Sequence, residues 1–311
     1  MSLSQWPSDV PRIAARDASG HKGTFGRVVI VGGCTQPPLV MVGGPALAAL
    51  GALRSGCGLA ELAMPSSLLV AGLTIAPSAV GHAIEVEGHG VPTARALAAL
   101  ADRAAGADVV VCGPGLGAKV GSIVRSIIAS ARRLVLDADA LNAISSDAVP
   151  QPPSVVESEP ELRTALRGRA PGTTVLTPHV GEAQRLARAC GLNETASAAE
   201  LARALGAVVV LKSHETSIAS ATQAWSVRAG TSALATAGSG DVLAGIIAGL
   251  WAQHHECSAF DLARQAVCLH GLASVRWSAS HGSAGLLAAD LAALLPAELE
   301  RWRLGGAPTM R

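Results

Sequence analysis

Three short apolar runs fix the class of fold. Residues 27–31 (RVVIV), 108–112 (DVVVC) and 207–212 (AVVVLK) carry almost no polar alternation. A strand with one wet face alternates apolar and polar residues, whereas a strand apolar on both sides must be covered on both. Similar short runs lie at 58–64, 133–136 and 175–176. Helical spacing fills the intervals at 45–54, 91–105, 120–130, 182–189 and 198–205, and again at 242–254, 259–278 and 286–295. Strands alternating with helices predict an α/β chain with a mainly parallel central sheet and helices on both faces. Residues 216–219 and 225–228 read as a hairpin, 66–90 have no clear period, and the Ser/Pro-rich 145–160 reads as a surface loop. The expectation is a single domain over 1–311, with an N-terminal arm at 1–21 and a C-terminal tail at 296–311.

Composition excludes several function classes. Half of the 311 residues are apolar and net charge is +1, without a basic run, so neither nucleic acid nor an anionic membrane is indicated. Two Phe, five Trp and no Tyr leave little for base stacking. The six cysteines show no CxxC spacing and read as reduced, buried thiols. The N-terminus lacks the apolar core of a secretion signal, so the expected location is the cytoplasm. The apolar text of 39–80 is broken by Arg54, Glu61 and several Pro and Gly, and reads as core.

The chemistry collects at strand ends, where parallel sheets bind ligands. In Gly230–Leu250 a run of small residues leads into Gly238-Ser239-Gly240-Asp241 and then an apolar helix. Ser239 is expected as its N-cap. Free N–H groups and the helix dipole suit a phosphate at Gly238–Gly240. Asp241 repels phosphate, so it reads either as a base for an attacking hydroxyl or as a charge that steadies its own helix start. Asp137, Asp139 and Asn142 follow one strand, and alternation along it would bring only one of the two carboxylates to the site, with Asp139 open to a capping role. His254, His255, His270 and His281 lack metal-ligand spacing and read as structural.

In order, KGTFGRVVIVGG (22–33), GALRSGCGLAELAMP (51–65), VVVCGPGLG (109–117), LVLDADALNAIS (134–145), LTPHVGEAQRLA (176–187), VVVLK (208–212) and ATAGSGDVLAGIIAGL (235–250) resemble the ADP/ATP-dependent NAD(P)H-hydrate dehydratases of the ribokinase-like superfamily. The resemblance covers residues 22 to about 295. It implies phosphorylation of the ring hydroxyl of hydrated NADH or NADPH by ADP or ATP, followed by loss of phosphate. It further implies Asp241 as base and the Gly238 and Gly240 backbone as anion hole. The nucleotide would lie along Lys212, Ser213, His214, Glu215, Thr216 and Gly240. The substrate would meet Gly44, Gly115, Gly117, His179 and Asp241, with Mg2+ held through water by Glu182 and a homotetramer as the assembly. A ribokinase-like kinase for a small alcohol, such as a vitamin precursor or carbohydrate, is the alternative; Pro178-His179, where vitamin kinases usually have Pro-Asn, favours the dehydratase. Departures from the family pattern fall at Thr231, Ala237, Ser213 and Gly44, and at Pro37–Gly43, where a common tyrosine is missing.

Overall fold

The computed structural model describes residues 5–36, 38–88, 90–145 and 159–303. Its strands are β1 (Arg27–Val31), β2 (Leu59–Pro65), β3 (Val80–Ile84), β4 (Val86–Glu87), β5 (Val91–Pro92), β6 (Val109–Cys112), β7 (Leu134–Leu136), β8 (Thr174–Leu176), β9 (Val208–Leu211), β10 (Thr216–Ala219) and β11 (Ala224–Val227). Nine of them form one sheet in the order β11-β10-β9-β8-β7-β6-β1-β2-β3, and β4 pairs with β5 as a separate ribbon. From β9 to β3 every neighbouring pair is parallel; β10 and β11 close one edge as the antiparallel hairpin expected from the sequence.

The helices are α1 (Gly43–Arg54), α2 (Ser66–Ile75), α3 (Ala94–Ala105), α4 (Gly121–Ser130), α5 (Asp139–Ser145), α6 (Glu159–Arg167), α7 (Val180–Ala189), α8 (Ala198–Leu205), α9 (Ser239–Gln253), α10 (Ala259–His281) and α11 (Ala288–Trp302). They form two layers. Val28, Ile30, Val109, Val111 and Val135 pack with α1, α9, α10 and α11 on one face. Their alternates Val29, Val31, Val110, Cys112 and Leu134 pack with α3 to α8 on the other. Both faces of the inner strands are therefore core, which is why their runs are continuously apolar, while the edge strands β3 and β11 stay partly exposed.

Several local expectations are corrected. Residues 66–90 resolve into α2, β3 and most of the β4–β5 ribbon, and Val91 belongs to β5, with α3 capped by the Thr93 hydroxyl. The residues 146–158 of the expected loop lie outside the described residues, and α6 begins at Glu159. The last helix passes through Pro296 to Trp302, because Leu299 is buried and Trp302 stacks on Trp6 of the arm, ring centroids 6.2 Å apart. Cys190 and Cys257 are only half-buried; burial pushes the Cys57, Cys112 and Cys268 thiols up to about 12, leaving them poor nucleophiles. No helix among the described residues is long and apolar enough to cross a membrane.

Two features position the site. Strand order reverses between β1 and β6, so the turns after them meet at a topological switch point: Gly33 N–H donates to Pro114 O and Gly113 N–H to Val31 O. The small residues of α9 let it lie backbone against backbone on α1. A side chain at Gly245 would strike the Ala48 carbonyl, and one at Gly249 the Ser55 hydroxyl. The two helices thus start side by side, Gly44 facing Asp241.

Candidate active site

The start of α9 is set by Gly238, whose φ of +88° places it as the N-cap. This corrects the expectation for Ser239, which is already the first helical residue. Its hydroxyl points back into the preceding loop, 2.9 Å from Leu234 O and 3.0 Å from Thr236 O, so the first-turn N–H groups gain no side-chain cap. Ser239 N–H donates back to Thr236 O at 3.4 Å, while the Gly240 and Asp241 N–H groups have no partner among the described residues and remain for a phosphate. His270, read from sequence as merely structural, holds this turn from α10 through Nε2 at 2.9 Å from Ser239 O. Burial pushes the His270 pKa down to about 4, so it is neutral here.

Asp241 follows. Among the described residues its carboxylate accepts no hydrogen bond. Burial raises its pKa, with Asp137, Asp139 and Glu182 adding to the rise and Lys212 opposing it, to about 7. A methyl group on Gly44 would stand 3.3 Å from Asp241 Oδ1, so glycine leaves space on one side of the carboxylate. Lys212 follows β9 and pairs with buried Asp137 at 2.9 Å. Burial works against its charge, but Asp137, Glu182 and Asp241 outweigh it and the pKa is raised. Gly240 lies against this cation: a methyl there would be 3.0 Å from Lys212 Nζ.

The expectation that only one of Asp137 and Asp139 serves the site is also corrected. Ala138 between them has φ +49°, which breaks strand alternation. Asp137 therefore reaches Lys212, while Asp139 opens α5 and accepts the Gly117 N–H at 2.8 Å. Asn142 Nδ2 donates to Asp139 at 3.2 Å, and Arg185, which the sequence reading missed, donates twice to Asn142 Oδ1, at 3.1 and 2.8 Å.

His179 is the N-cap of α7. Its Nδ1 accepts the Gly181 N–H at 3.0 Å, and Glu182 Oε2 accepts the His179 N–H at 2.8 Å, a reciprocal cap. The His179 ring is 56% exposed, with Nε2 3.3 Å from Glu182 Oε1. A bridge to Lys212, whose N–H donates to Pro178 O at 2.8 Å, sets the two motifs side by side.

A cavity of about 920 Å³ opens beside these groups. His179, Lys212, Ser213, His214, Thr216 and Gly240 line it, together with Arg228 and His270. Glu215 does not; its carboxylate turns to Arg228 and Ser226, at 3.2 Å from each. Gly115 and Gly117 lie at the switch point, Gly117 against Cys34 and Gln36 and Gly115 against Met41. Thr231, one of the departures, ties the pocket wall to α10: its N–H donates to Ser274 Oγ at 3.1 Å and its hydroxyl lies 2.8 Å from Ser278 Oγ.

A family model described as NAD(P)H-hydrate dehydratase matches residues 28–297. The chain belongs to this family. An ADP-dependent (S)-NAD(P)H-hydrate dehydratase of Neisseria meningitidis is 37% identical over 286 residues, covering 89% of this chain and 86% of that protein. The chain spans about half the length of the bifunctional NAD(P)H-hydrate repair enzymes that it also matches. Among solved structures, a ribokinase-like superfamily protein of Enterococcus faecalis superposes with a TM-score of 0.76 at 26% identity, covering 94% of this chain and 93% of that one. An ADP/ATP-dependent NAD(P)H-hydrate dehydratase of Bacillus subtilis, co-crystallised with ATP/Mg2+, gives 0.69 at 26% identity, covering 96% and 100%. As a dehydratase-family chain it has the ribokinase-like fold, with the family's motifs on the strand ends facing the cavity and the switch point.

Proposed function

We propose that this chain restores hydrated NADH or NADPH by phosphorylating the ring hydroxyl with ADP or ATP and eliminating the phosphate. The observation that carries the reading is Asp241. A carboxylate that accepts no hydrogen bond among the described residues, raised to about 7, stands at the start of α9 beside the Lys212 cation. Asp241 takes the hydroxyl proton as the oxygen attacks the terminal phosphorus, and AMP (from ADP) or ADP (from ATP) leaves. The Gly238–Gly240 N–H groups and Lys212 face the charge that builds on the transferred phosphoryl group, a contribution of a few kcal/mol. The C–O bond to phosphate then breaks, its electron pair leaving with the phosphate, a neighbouring ring carbon gives its proton to the departing phosphate, and the electron pair of that C–H bond forms the double bond.

The donor nucleotide fits along Lys212–Thr216 and Gly240, where Lys212, Ser213, His214, Thr216 and Gly240 line the cavity beside the start of α9. The dinucleotide fits towards Gly44, Gly115 and Gly117, with His179 at the cavity wall. For magnesium the fit is a limited one. The described residues contain no cluster of three or more His, Cys, Asp or Glu able to hold a metal ion. Glu182 Oε2 is committed to the His179 N–H and Oε1 lies 3.3 Å from His179 Nε2, so Oε1 would steady a hydrated ion carried in by the nucleotide only by sharing it with that exposed ring. Such an ion would offset phosphate charge. A homotetramer in the cytoplasm belongs to the same reading.

Incubation with hydrated NADH, ADP and magnesium should return absorbance near 340 nm, with one AMP and one phosphate released per NADH. No return of absorbance, or ATP consumption only with an unrelated alcohol, would replace this reading with the kinase.

A further inference from the structure

The substrate half of the site contains a cation that the chemistry above does not use. Arg185 lies on α7, one turn beyond the His179–Glu182 cap. Its guanidinium grips Asn142 Oδ1 through Nε and Nη2; Asn142 turns its Nδ2 to Asp139 Oδ1; and Asp139 Oδ2 takes the Gly117 N–H. The chain of contacts crosses from α7 through α5 to the turn after β6. Each link is directional. An amide whose oxygen is held by a two-pronged donor presents its NH2 the other way, towards a carboxylate. With Asn142 so fixed, Asp139 has one oxygen occupied and the second aimed at the turn.

We propose that Arg185 is a positioning residue for substrate binding: through Asn142 and Asp139 it holds the Gly117 turn in register with α7, and so with His179. The base of the turn is tied to β1 through Gly113 N–H to Val31 O and Gly33 N–H to Pro114 O. At its tip Gly117 lies against Cys34 and Gln36 of the loop after β1, with Gln36 Nε2 donating to Ala118 O at 2.7 Å, and Asp139 is the side chain that takes the Gly117 N–H. A dinucleotide lying against Gly115 and Gly117 and reaching His179 must find both at a fixed separation, and the Arg185 chain sets it. Uniform loosening of such a contact raises KM with little change in kcat.

The kinetic arm rests on the proposed dehydratase activity; the exchange arm does not. In Arg185→Met, amide exchange of the segment 113–118 should quicken by about tenfold or more, while α9 and the β9 segment keep wild-type protection. KM for hydrated NADH should rise roughly five- to thirtyfold at nearly constant kcat, the loss of one charge-assisted hydrogen bond. Arg185→Lys, which keeps one donor, should fall between, and Asn142→Leu combined with Arg185→Met should add little to either single change. Unchanged exchange at 113–118 overturns the proposal whatever the kinetics. Quickened exchange throughout the molecule with a collapsed melting temperature also overturns it, in favour of a purely structural arginine. If wild-type protein turns over no hydrated NADH, the activity reading fails, and exchange at 113–118 still decides the role of Arg185.

Discussion

Asp139 and Asp241 are carboxylates at the starts of two helices in one site, and their surroundings are opposite. Asp139 accepts hydrogen bonds from a backbone N–H and from Asn142, which Arg185 orients in turn. Asp241 accepts none among the described residues, and burial with three other anions pushes it up to about 7. The first holds a loop, and its charge is fully answered by donors. The second is left unanswered in a half-buried place, where a proton is the partner that would relieve it. A carboxylate that is to move a proton at neutral pH must be denied the hydrogen bonds that a structural one receives.

The contrast breaks first at Asp241. Asp241→Asn should reduce the single-turnover rate by roughly two to four powers of ten while nucleotide binding persists. An exposed acid at a helix start would cost up to about 1 kcal/mol of stability on removal, but here the sign reverses. The folded-state pKa of about 7 lies above the ordinary 3.8, so Asp241 withdraws stability as pH rises through that interval. Asp241→Asn should therefore raise the melting temperature at pH 8, with a smaller gain at pH 5. A folded variant with near wild-type turnover would make the GSGD turn a phosphate cradle only.

On the structural side the expected effect is smaller. Gly117 has φ +77°, and a methyl there would stand 2.5 Å from Cys34 Sγ. Gly117→Ala should cost on the order of 1–3 kcal/mol and raise KM for hydrated NADH more than it lowers kcat. Gly191, with φ +70° and nothing within 4 Å, is the control: alanine there carries the backbone strain without the clash. Equal effects at the two positions would mean that the Gly117 turn has no special fit.

Much of this was legible in the sequence because the strands are covered on both faces. An unbroken run such as RVVIV leaves little choice but a parallel sheet, and the strand-end motifs then fall on one edge. Lys212, His179, Gly240 and Asp241 meet in the fold as their placement implied. What escaped was local geometry. Ser239 looked like a cap because serine usually is one; a left-handed Gly238 turned its hydroxyl backwards. The roles of Asp137 and Asp139 diverged because Ala138 left the strand conformation, an outcome that no residue type announces. His270 lies outside every quoted motif, and Arg185, though inside 176–187, is one of several polar residues there with nothing to single it out; they act through a Ser239 carbonyl and an Asn142 amide that only the packing of α10 on α9 and of α7 on α5 brings within reach.

The central claim, that burial poises Asp241 as a base at neutral pH, is tested most directly by the pH dependence of kcat/KM for hydrated NADH. The base must be unprotonated, so kcat/KM should fall tenfold per unit below an apparent pKa of about 7. Lys212 opposes the rise at Asp241, so in Lys212→Met the acidic limb should move to higher pH, whatever the remaining activity. A limb near 4, or one that stays in place when Lys212 is removed, would contradict the account.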